Sequence, residues 1–303
     1  MKYEKNAEFR FLEIPNGEDV LTVLGCEGIR KYGIFEHGEK SDKMHFHNLM
    51  EIAVCRWGNG EVKLNKKWYP YKSGDILIIP QNSSHSINSY GKDSFWEYIY
   101  VKPLTFLEKI YKDEIRKQNR YAEEVELRAF MVSKEKYPDL ETEINLVMNQ
   151  KRVKAYGYKE CIKGLVFALL MEIAKINHAV LDKPENKDYQ STQNVNALAL
   201  AFTYIEENYA KELRISDIAN AAYVSETYLR RLFVENCAIS PMQYVKKIRI
   251  EAACKMIKRT DSSFNEIAYS VGFENVGTFI SNFKKIKGCT PKQWKQNVLC
   301  KTE

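Results

Sequence analysis

Three histidines and one glutamate occur at spacings that suit the binding of a metal ion or a small ligand. His45 and His47 are separated by one residue, Glu51 follows, and His85 lies further along the chain. Residues two apart in a strand face the same side, so His45 and His47 can point into a barrel that Glu51 and His85 join. Imidazoles with a carboxylate suit zinc, iron, nickel or manganese. We favour the alternative, packing or contact with an effector, and predict no resident cofactor.

Basic residues in the last third of the chain suit a second kind of chemistry, the binding of phosphates. Residues 197–303 contain 16 Lys/Arg and 11 Asp/Glu, which gives a net charge of +5, out of +6 for the whole chain. Because nearly all of the excess is confined to this segment, the pattern is typical of a module that binds a nucleic-acid backbone. A solvated basic surface is the alternative interpretation.

Short β-strands are predicted over residues 8–101 and would carry the histidines. Val62–Lys66 alternates apolar and polar residues, Asp75–Ile79 is a continuous apolar run, and Glu97–Val101 is rich in strand-forming residues. Many short strands at this spacing indicate a sandwich or a barrel.

A helical layer is predicted to follow the strands. Leu104–Lys117, Leu140–Lys151 and Tyr158–Val180 carry apolar residues at spacings of three and four. The last segment either caps the barrel or pairs with a second subunit, and we expect a homodimer. The face that bears on this choice carries Leu165, Leu169, Glu172 and Ile176.

The composition of residues 182–196 predicts a solvated linker, because they include one proline and almost no core-forming side chains. We therefore predict a first domain over residues 1–181, with its barrel at about 8–101 and its helices at about 103–181. The second domain covers residues 197–303.

The second domain contains an internal repeat of about 50 residues. Ile218-Ala219 matches Ile267-Ala268 at an offset of 49 residues. Leu229, Phe233, Pro241 and Tyr244 match Phe279, Phe283, Pro291 and Trp294 at an offset of 50.

Each copy of the repeat predicts a helix-turn-helix unit. The first covers about 216–236, with helices at 216–222 and 226–236, and the second covers about 264–287, with helices at 264–270 and 275–287. A capping box at Ser263 and Glu266 and the pairs Ser240-Pro241 and Thr290-Pro291 mark helix starts. Residues 241–259 would form one long helix of roughly 27 Å, a spacer between two DNA-reading heads.

This segment resembles the DNA-binding domain of AraC/XylS-type transcription regulators over about a hundred residues. The resemblance is carried by Ile218-Ala219, Ser225-x-x-Tyr-Leu-Arg-Arg-Leu-Phe233, Tyr244, Arg249-x-x-x-Ala253-x-x-Met-Ile257, Ile267-Ala-x-x-Val-Gly-Phe273, Phe279-x-x-x-Phe-Lys-Lys285 and Gly288-Cys-Thr-Pro291. It implies a fold with an N-terminal cupin-like β-barrel and helical layer, and a C-terminal all-α domain of two helix-turn-helix units. The partners that it implies are double-stranded DNA, a small-molecule effector, a second copy of the chain and, for an activator, RNA polymerase.

The resemblance also implies which side chains contact DNA. On the first recognition helix we predict direct readout of bases by arginine, since its guanidinium can bind guanine O6 and N7. The second helix-turn-helix unit has Gly277, Thr278 and Ser281 where the family usually has Ser-Tyr and arginine. We therefore expect this unit to hold the DNA more than to determine which base sequence is bound. The predicted DNA-contacting residues are Glu226, Thr227, Arg230, Arg231, Asn275, Thr278, Ser281, Asn282, Lys284 and Lys285.

The histidines resemble the two cupin motifs, with two departures. Asn82 replaces a glycine that metal-binding cupins usually have, and Ser89 stands where asparagine is common. Aromatic rings nearby could stack on a sugar or another small ring. The predicted effector-binding residues are His45, His47, Glu51, Trp57, His85 and Trp96, and the metal ligands, for a metal-binding barrel, are His45, His47, Glu51 and His85.

The function predicted from these features is sequence-specific transcription regulation in response to an effector such as a carbohydrate metabolite, without enzymatic activity. The alternatives are a metal-dependent cupin enzyme fused to a DNA-binding domain and a ligand-independent dimeric DNA-binding protein. The seven cysteines are scattered and never spaced as C-x-x-C, which fits reduced thiols. No signal sequence or apolar run of about 18 residues occurs, so we expect a cytoplasmic protein without membrane association.

Overall fold

A computed structural model of the chain describes residues 8–24, 44–64, 67–89, 94–181, 189–237 and 239–299. The chain divides into two compact units. One covers the residues up to Asn196, and the other covers residues 197–235 and 239–303. The described part of the first unit is built on β-sheets with packed helices, and that of the second is helical.

The strands of the first unit form two five-stranded sheets. Their orders are β1-β3-β8-β5-β6 and β10-β7-β4-β9-β2, and the pairs are antiparallel except for β1 with β3. The strands are β1 Glu8–Arg10, β2 Val20–Val23, β3 His45–His47, β4 Met50–Trp57, β5 Asn59–Leu64, β6 Lys67–Lys72, β7 Asp75–Ile79, β8 His85–Asn88, β9 Phe95–Val101 and β10 Phe130–Ser133.

Alternation along β4 divides the first unit into two apolar clusters, because successive side chains of a strand face opposite sides of the sheet. Met50, Ile52 and Val54 belong to the cluster that includes the helices, whereas Ala53 and Cys55 belong to the cluster inside the β-structure. The second sheet therefore has both faces buried, which explains why Ile76–Ile79 of β7 are all apolar.

Four helices of the first unit accompany the sheets: α1 Pro103–Tyr111, α2 Ile115–Val125, α3 Pro138–Val153 and α4 Tyr158–Leu181. The prediction of one helix over Leu104–Lys117 is wrong, since α1 ends at Tyr111 and α2 begins at Ile115. Lys112, at φ 44°, turns the chain out of the right-handed helix.

The face of α4 that carries Leu165, Leu169 and Ile176 packs within its own unit. Leu169 and Ile176 are buried in the cluster shared with the sheet, and Leu165 packs against it. Because these contacts are intramolecular, a second subunit would have to use a different surface.

Helix α5, Tyr189–Asn208, begins before the boundary between the units and ends in the second unit. The helices that follow it are α6 Ile215–Ala221, α7 Glu226–Cys237, α8 Pro241–Arg259, α9 Phe264–Ser270, α10 Val276–Lys287 and α11 Pro291–Leu299. Residues 189–196, the second half of the predicted linker, form the start of α5. After Pro184 the segment contains no glycine or proline that would stop a helix, and it runs directly into apolar Ala197 and Leu198, which are buried. Residues 182–188 lie outside the described residues.

Reciprocal caps begin three helices of the second unit. Ser240 with Gln243, Ser263 with Glu266 and Thr290 with Gln293 each exchange side-chain and backbone hydrogen bonds. The helix starts predicted at Ser240-Pro241, Ser263 and Thr290-Pro291 are confirmed.

Two aromatic cores hold the helix-turn-helix units in shape. Phe202 of α5 lies 4.9 Å from the ring of Phe233 and 4.8 Å from the ring of Tyr244. In the second helix-turn-helix unit, the ring centroid of Phe279 lies 5.6 Å from that of Phe283, and the centroid of Phe283 lies 6.0 Å from that of Trp294. The residues that match across the repeat are therefore core residues. Across the described ranges, none of the helices has the length and apolar character needed to cross a bilayer.

Candidate functional site

The histidine cluster of the first unit lies where β3, β4 and β8 come together. His45 and His47 are at the two ends of β3, and His45 pairs in register with His85 of β8. One ring nitrogen from each of His45, His47 and His85 lies within 4.8 Å of the others, and all three side chains are buried. Glu51 of β4 lies beside them, also buried. The structure thus brings together the four residues that the sequence singled out.

Hydrogen bonds hold the rings of His47 and His85 in defined orientations. Nδ1 of His47 lies 2.6 Å from the carbonyl oxygen of Leu49, and Nδ1 of His85 lies 3.0 Å from that of Ser83. The opposite nitrogens face the same atom, Glu51 Oε2, at 2.9 Å from His47 Nε2 and 3.7 Å from His85 Nε2. One carboxylate oxygen therefore lies close to the ring nitrogens of two imidazoles.

Burial and charge act in opposite directions on this cluster. Burial lowers the pKa of His47, although the hydrogen bond and the charge of Glu51 act to raise it. Burial alone would raise the pKa of Glu51, but its hydrogen bonds with His47 and His85 hold it well below the usual range. Glu51 is consequently an ionised group inside the domain.

Aromatic side chains of β9 line the same interior. Trp96 and Tyr98 are buried in the internal cluster with Tyr100, whose ring lies 5.3 Å from that of His47. Burial, with the charge of Glu51, raises the pKa of Tyr100 well above its ordinary value. Tyr100 is not among the predicted effector-binding residues, although the two-residue alternation that places Trp96 inside also places Tyr100 there.

Trp57 lies apart from the histidine cluster. It ends β4, is half exposed, and stacks on Phe95 with the ring planes 4° from parallel. Its predicted contact with an effector would therefore occur outside the internal aromatic row.

Asn82, one of the departures from the cupin motif, keeps the backbone conformation that glycine would provide. Its φ is 58°, a left-handed conformation that asparagine tolerates better than most residues. Its backbone N–H donates to the carbonyl oxygen of His47 at 2.7 Å. The substitution therefore preserves a turn that positions His47.

The exposed face of α7 carries the predicted DNA-contacting residues of the first helix-turn-helix unit. Glu226, Thr227, Arg230 and Arg231 are all exposed. Arg230 lies 3.6 Å from Glu226 one turn earlier, an exposed pair that contributes little to stability. The guanidinium of Arg231 lies over the ring of Tyr228 at 4.8 Å from its centroid. This contact orients Arg231 before any ligand arrives.

The corresponding face of α10 carries shorter side chains. Asn275 precedes the helix as its N-cap rather than opening it as predicted, because its side-chain oxygen accepts from the N–H of Thr278 at 2.7 Å. Nδ2 of Asn282 donates to the carbonyl oxygen of Thr278 at 2.7 Å. Both amides are therefore engaged within the helix.

The remaining predicted contacts of α10 face solvent. Thr278, Ser281, Lys284 and Lys285 are exposed. The two lysines lie in the last turn, where they complement the negative end of the helix dipole. This face offers positive charge but no arginine.

Comparisons with known proteins agree with this two-part arrangement. The family model of the AraC-like ligand binding domain matches residues 32–122, and that of a helix-turn-helix domain matches residues 218–297. Together they define a transcription regulator with a ligand-binding domain and a helix-turn-helix DNA-binding domain.

Relatives match along most of the chain. The HTH-type transcriptional activator RhaR of Mannheimia succiniciproducens is 22% identical over 265 residues, covering 88% of this chain and 91% of the relative. The raffinose operon transcriptional regulatory protein RafR of Pediococcus pentosaceus is 24% identical over 297 residues, covering 97% of this chain and 99% of the relative. This chain belongs to the AraC family of transcription regulators.

The fold is also similar to that of a solved protein. The crystal structure of unsaturated fatty acid bound ToxT from Vibrio cholerae superimposes with a TM-score of 0.50 at 12% identity, covering 94% of this chain and 97% of ToxT. The predicted fold class, a β-rich N-terminal domain followed by a helical helix-turn-helix domain, is confirmed.

Proposed function

We propose that this regulator selects its DNA sequence mainly through α7 and anchors itself on the backbone through α10, in response to a small hydroxylated effector and without catalysing a reaction. The observation that carries the first part is the contrast between the two exposed faces. Arg230 and Arg231 project from α7, whereas the amides of Asn275 and Asn282 are engaged within α10.

Base readout by α7 follows from the side chains available. A guanidinium can form paired hydrogen bonds with guanine in the major groove, and Thr227 offers a methyl group and a hydroxyl one turn away. Arg231 is already held by Tyr228, so less side-chain freedom is lost when it binds. Arg230 must exchange its contact with Glu226 for a base or a phosphate.

Backbone contact by α10 follows from Lys284 and Lys285. An ammonium group is a compact charge that binds phosphates without reading sequence. Thr278 and Ser281 add short hydroxyls that can donate to phosphate oxygens. We therefore assign the second helix-turn-helix unit to contact with the DNA backbone.

The effector class follows from the interior of the first unit. Trp96, Tyr98 and Tyr100 supply aromatic faces, and the histidines with Glu51 supply polar groups beside them. Aromatic faces bordered by hydrogen-bonding groups suit a saccharide. The name of RafR connects that relative with raffinose, whereas the ToxT structure holds an unsaturated fatty acid. The polar cluster favours a saccharide for this chain.

A homodimer would place two such double units on one operator, and an activator would also contact RNA polymerase. The described face of α4 that includes Leu169 is already packed inside its own unit, so we assign the dimer contact elsewhere. A symmetric dimer predicts two half-sites at a fixed spacing.

Selection of bound sequences from a random DNA pool tests the DNA part of this proposal. We expect a half-site with guanine at the positions read by α7 and weak preference in the segment contacted by α10. Equal information in both segments would contradict the unequal roles of the two helices. Light scattering of the free protein and of the complex gives the number of subunits.

Thermal shift with a panel of saccharides, with an unsaturated fatty acid as the comparison, tests the effector class. A ligand that binds the folded state raises the melting temperature by mass action. We expect Trp96→Phe to abolish the shift and the matched variant Trp57→Phe to retain it, because Trp57 lies outside the internal row. A shift produced by the fatty acid alone would overturn the saccharide assignment.

A further inference from the structure

Two cysteines that are far apart in the sequence lie on neighbouring segments of the second helix-turn-helix unit. Cys254 is on α8, and Cys289 is in the turn between α10 and α11. We propose that these two thiols form a modification site, at which a peroxide such as hydrogen peroxide joins them in an intramolecular disulfide. Formation of this disulfide goes beyond the proposed function and does not depend on it, because neither cysteine is a predicted DNA contact.

Two contacts hold the end of α10 and the start of α11 against α8. Nζ of Lys287, the last residue of α10, lies 2.6 Å from Oε1 of Glu251 on α8. The ammonium group of Lys258, also on α8, lies over the ring of Trp294 on α11, at 5.5 Å from its centroid. The segment between Lys287 and Trp294 therefore runs along about two turns of α8.

The two cysteines lie between these contacts, one on each segment. Residues three or four apart on a helix share a face, so Cys254 faces the same segment as Glu251 and Lys258. Electrostatics agrees with this placement, because burial raises the pKa of the Cys254 thiol and the charge of Cys289 adds to the rise. The pKa of the Cys237 thiol, in contrast, is raised by burial alone.

The exposure of the two thiols sets the order in which they react. Cys254 is 5% exposed in the core that contains Phe283, and burial raises its pKa to about 12. A protonated, buried thiol reacts slowly with an oxidant from solvent. Cys289 is only partly buried, so its sulfur is the one that a peroxide reaches first. Cys254 is then the thiol that completes the disulfide.

The reaction balances in two steps. The sulfur of Cys289 attacks the peroxide, so that an S–O bond forms, the O–O bond breaks, and the thiol proton leaves with the departing oxygen as water. The sulfur of Cys254 then attacks the sulfenic acid, so that the S–S bond forms, the S–O bond breaks, and its proton leaves with the hydroxyl group as a second water. The two thiols are oxidised, the peroxide is reduced, and a thiol reductant reverses the change.

Peptide mapping of the tag-free, full-length protein is the primary test. Reduced protein is treated with hydrogen peroxide, its remaining thiols are alkylated, and it is digested without reductant. Trypsin places the two cysteines in separate peptides, Ile250–Lys255 and Gly288–Lys292. We expect these peptides to be joined in most molecules, lighter than their sum by two hydrogens, and to separate with dithiothreitol. Oxidation only to sulfenic or sulfinic acids, or linkage to other cysteines or a second chain, would overturn the proposal.

Variants test the order of the two steps. In Cys289→Ser, the thiol of Cys254 should stay reduced and be alkylated after unfolding, because its burial protects it and its partner is absent. Cys161→Ser is the matched control, since Cys161 is exposed on α4, and it should give the joined peptides in the yield of the wild type. Equal oxidation of Cys254 in Cys289→Ser and in the wild type would contradict Cys289 as the first reactant.

The melting temperature gives a second measure of the link. The disulfide closes a loop that contains α9 and α10, which lowers the entropy of the unfolded chain. We expect oxidation to raise the melting temperature of the second unit by about 5 °C or more, and to leave that of Cys289→Ser unchanged. An equal rise in Cys289→Ser would show that a different oxidation causes it.

An effect of the link on DNA binding would act through α10, and this step rests on the proposed function. The two sulfurs are not bonded in the structure, so a bond of about 2.05 Å draws the turn after α10 toward α8. Lys284 and Lys285 are in the last turn of α10 and would shift with it. We expect the oxidised protein to bind selected and random duplexes about fivefold more weakly, and dithiothreitol to restore both affinities.

The two measurements separate failure of this proposal from failure of the proposed function. Joined peptides with unchanged DNA affinity would keep the modification site and exclude regulation of DNA binding by it. Joined peptides in a protein without sequence preference would keep the site and contradict the proposed roles of α7 and α10. Specific DNA binding by a protein whose peptides never join would remove the modification site alone.

Discussion

The turns of the two helix-turn-helix units use the same backbone conformation with different residues. Tyr223 follows α6 in the first unit with φ 53°, and Gly272 follows α9 in the second with φ 91°. The side chain of Tyr223 is 87% exposed. At Gly272, an added Cβ would lie 2.7 Å from the carbonyl oxygen of Tyr209 and 2.8 Å from that of Ala210. A left-handed residue is needed in both turns, but only the second turn excludes a side chain.

Packing around the second turn explains this difference. Arg249 of α8 donates to the carbonyl oxygens of Tyr209 and Lys211 at 2.7 and 2.8 Å, and its guanidinium lies 5.7 Å from the ring of Phe273. The end of α5 is thereby held against the turn. The first turn has open solvent beside it, so it tolerates tyrosine.

The recognition helices α7 and α10 differ in the side chains that they expose. The first helix-turn-helix unit exposes Arg230 and Arg231. In the second helix-turn-helix unit, the side chains of Asn275 and Asn282 form hydrogen bonds with backbone groups of Thr278. The helix-turn-helix unit with the open turn thus carries the side chains that we propose for base readout, and the unit with the closed turn carries those that we propose for backbone contact. The substitutions below test this comparison.

Gly272→Ala should have the largest effect. The methyl group would meet two backbone oxygens, and the left-handed conformation itself disfavours alanine, so we expect a loss of about 2 to 4 kcal/mol in the free energy of unfolding. Urea unfolding of the full-length protein, followed by circular dichroism, measures it. Tyr223→Ala is the matched control and should change stability by less than about 0.5 kcal/mol. Similar losses in both variants would contradict the difference between the turns.

Substitution of the α7 arginines should have the next largest effect. We expect Arg230→Ala or Arg231→Ala to weaken binding to the selected site by about 1 to 3 kcal/mol and to relax base preference. Fluorescence anisotropy with selected and random duplexes measures both quantities.

Lys284→Ala provides the comparison for these arginines. It should weaken binding to all sequences alike and reduce the slope of log K against log salt by about one. If both arginine variants left affinities for selected and random DNA unchanged, the assignment of α7 to readout would be wrong.

Asn275→Ala should lower stability by about 1 kcal/mol through loss of the N-cap of α10. Base preference should stay the same, because the side-chain oxygen is already used by the N–H of Thr278. Ser281→Ala, exposed on the same helix, is the control for stability. A changed base preference in Asn275→Ala would show that this amide leaves its cap to read DNA.

Local chemistry explains which parts of the fold were predictable from sequence. Ser263 with Glu266 and Ser240 with Gln243 specify helix starts by themselves, because each pair bonds its own backbone. The shared face of His45 and His47 was also predictable, since residues two apart in a strand point to the same side of the sheet.

The errors came from contacts that the sequence does not display. The start of α5 lacks apolar periodicity, yet the helix is continuous with the segment that packs Phe202 against Phe233. The break at Lys112 depends on a left-handed residue that is not glycine. The capping role of Asn275 does not follow from the sequence, because an exposed asparagine can bind either a base or its own helix.

Tyr223→Gly should have the smallest effect and gives the finest test of the comparison. Glycine relieves the left-handed strain of tyrosine but has more conformational entropy to lose on folding, so we expect a gain of only about 0.5 kcal/mol. Because the side chain is exposed, little packing is lost. Urea unfolding beside Tyr223→Ala separates the backbone effect from removal of the ring. A loss of more than about 1 kcal/mol in Tyr223→Gly alone would show that the first turn, like the second, depends on the residue it holds.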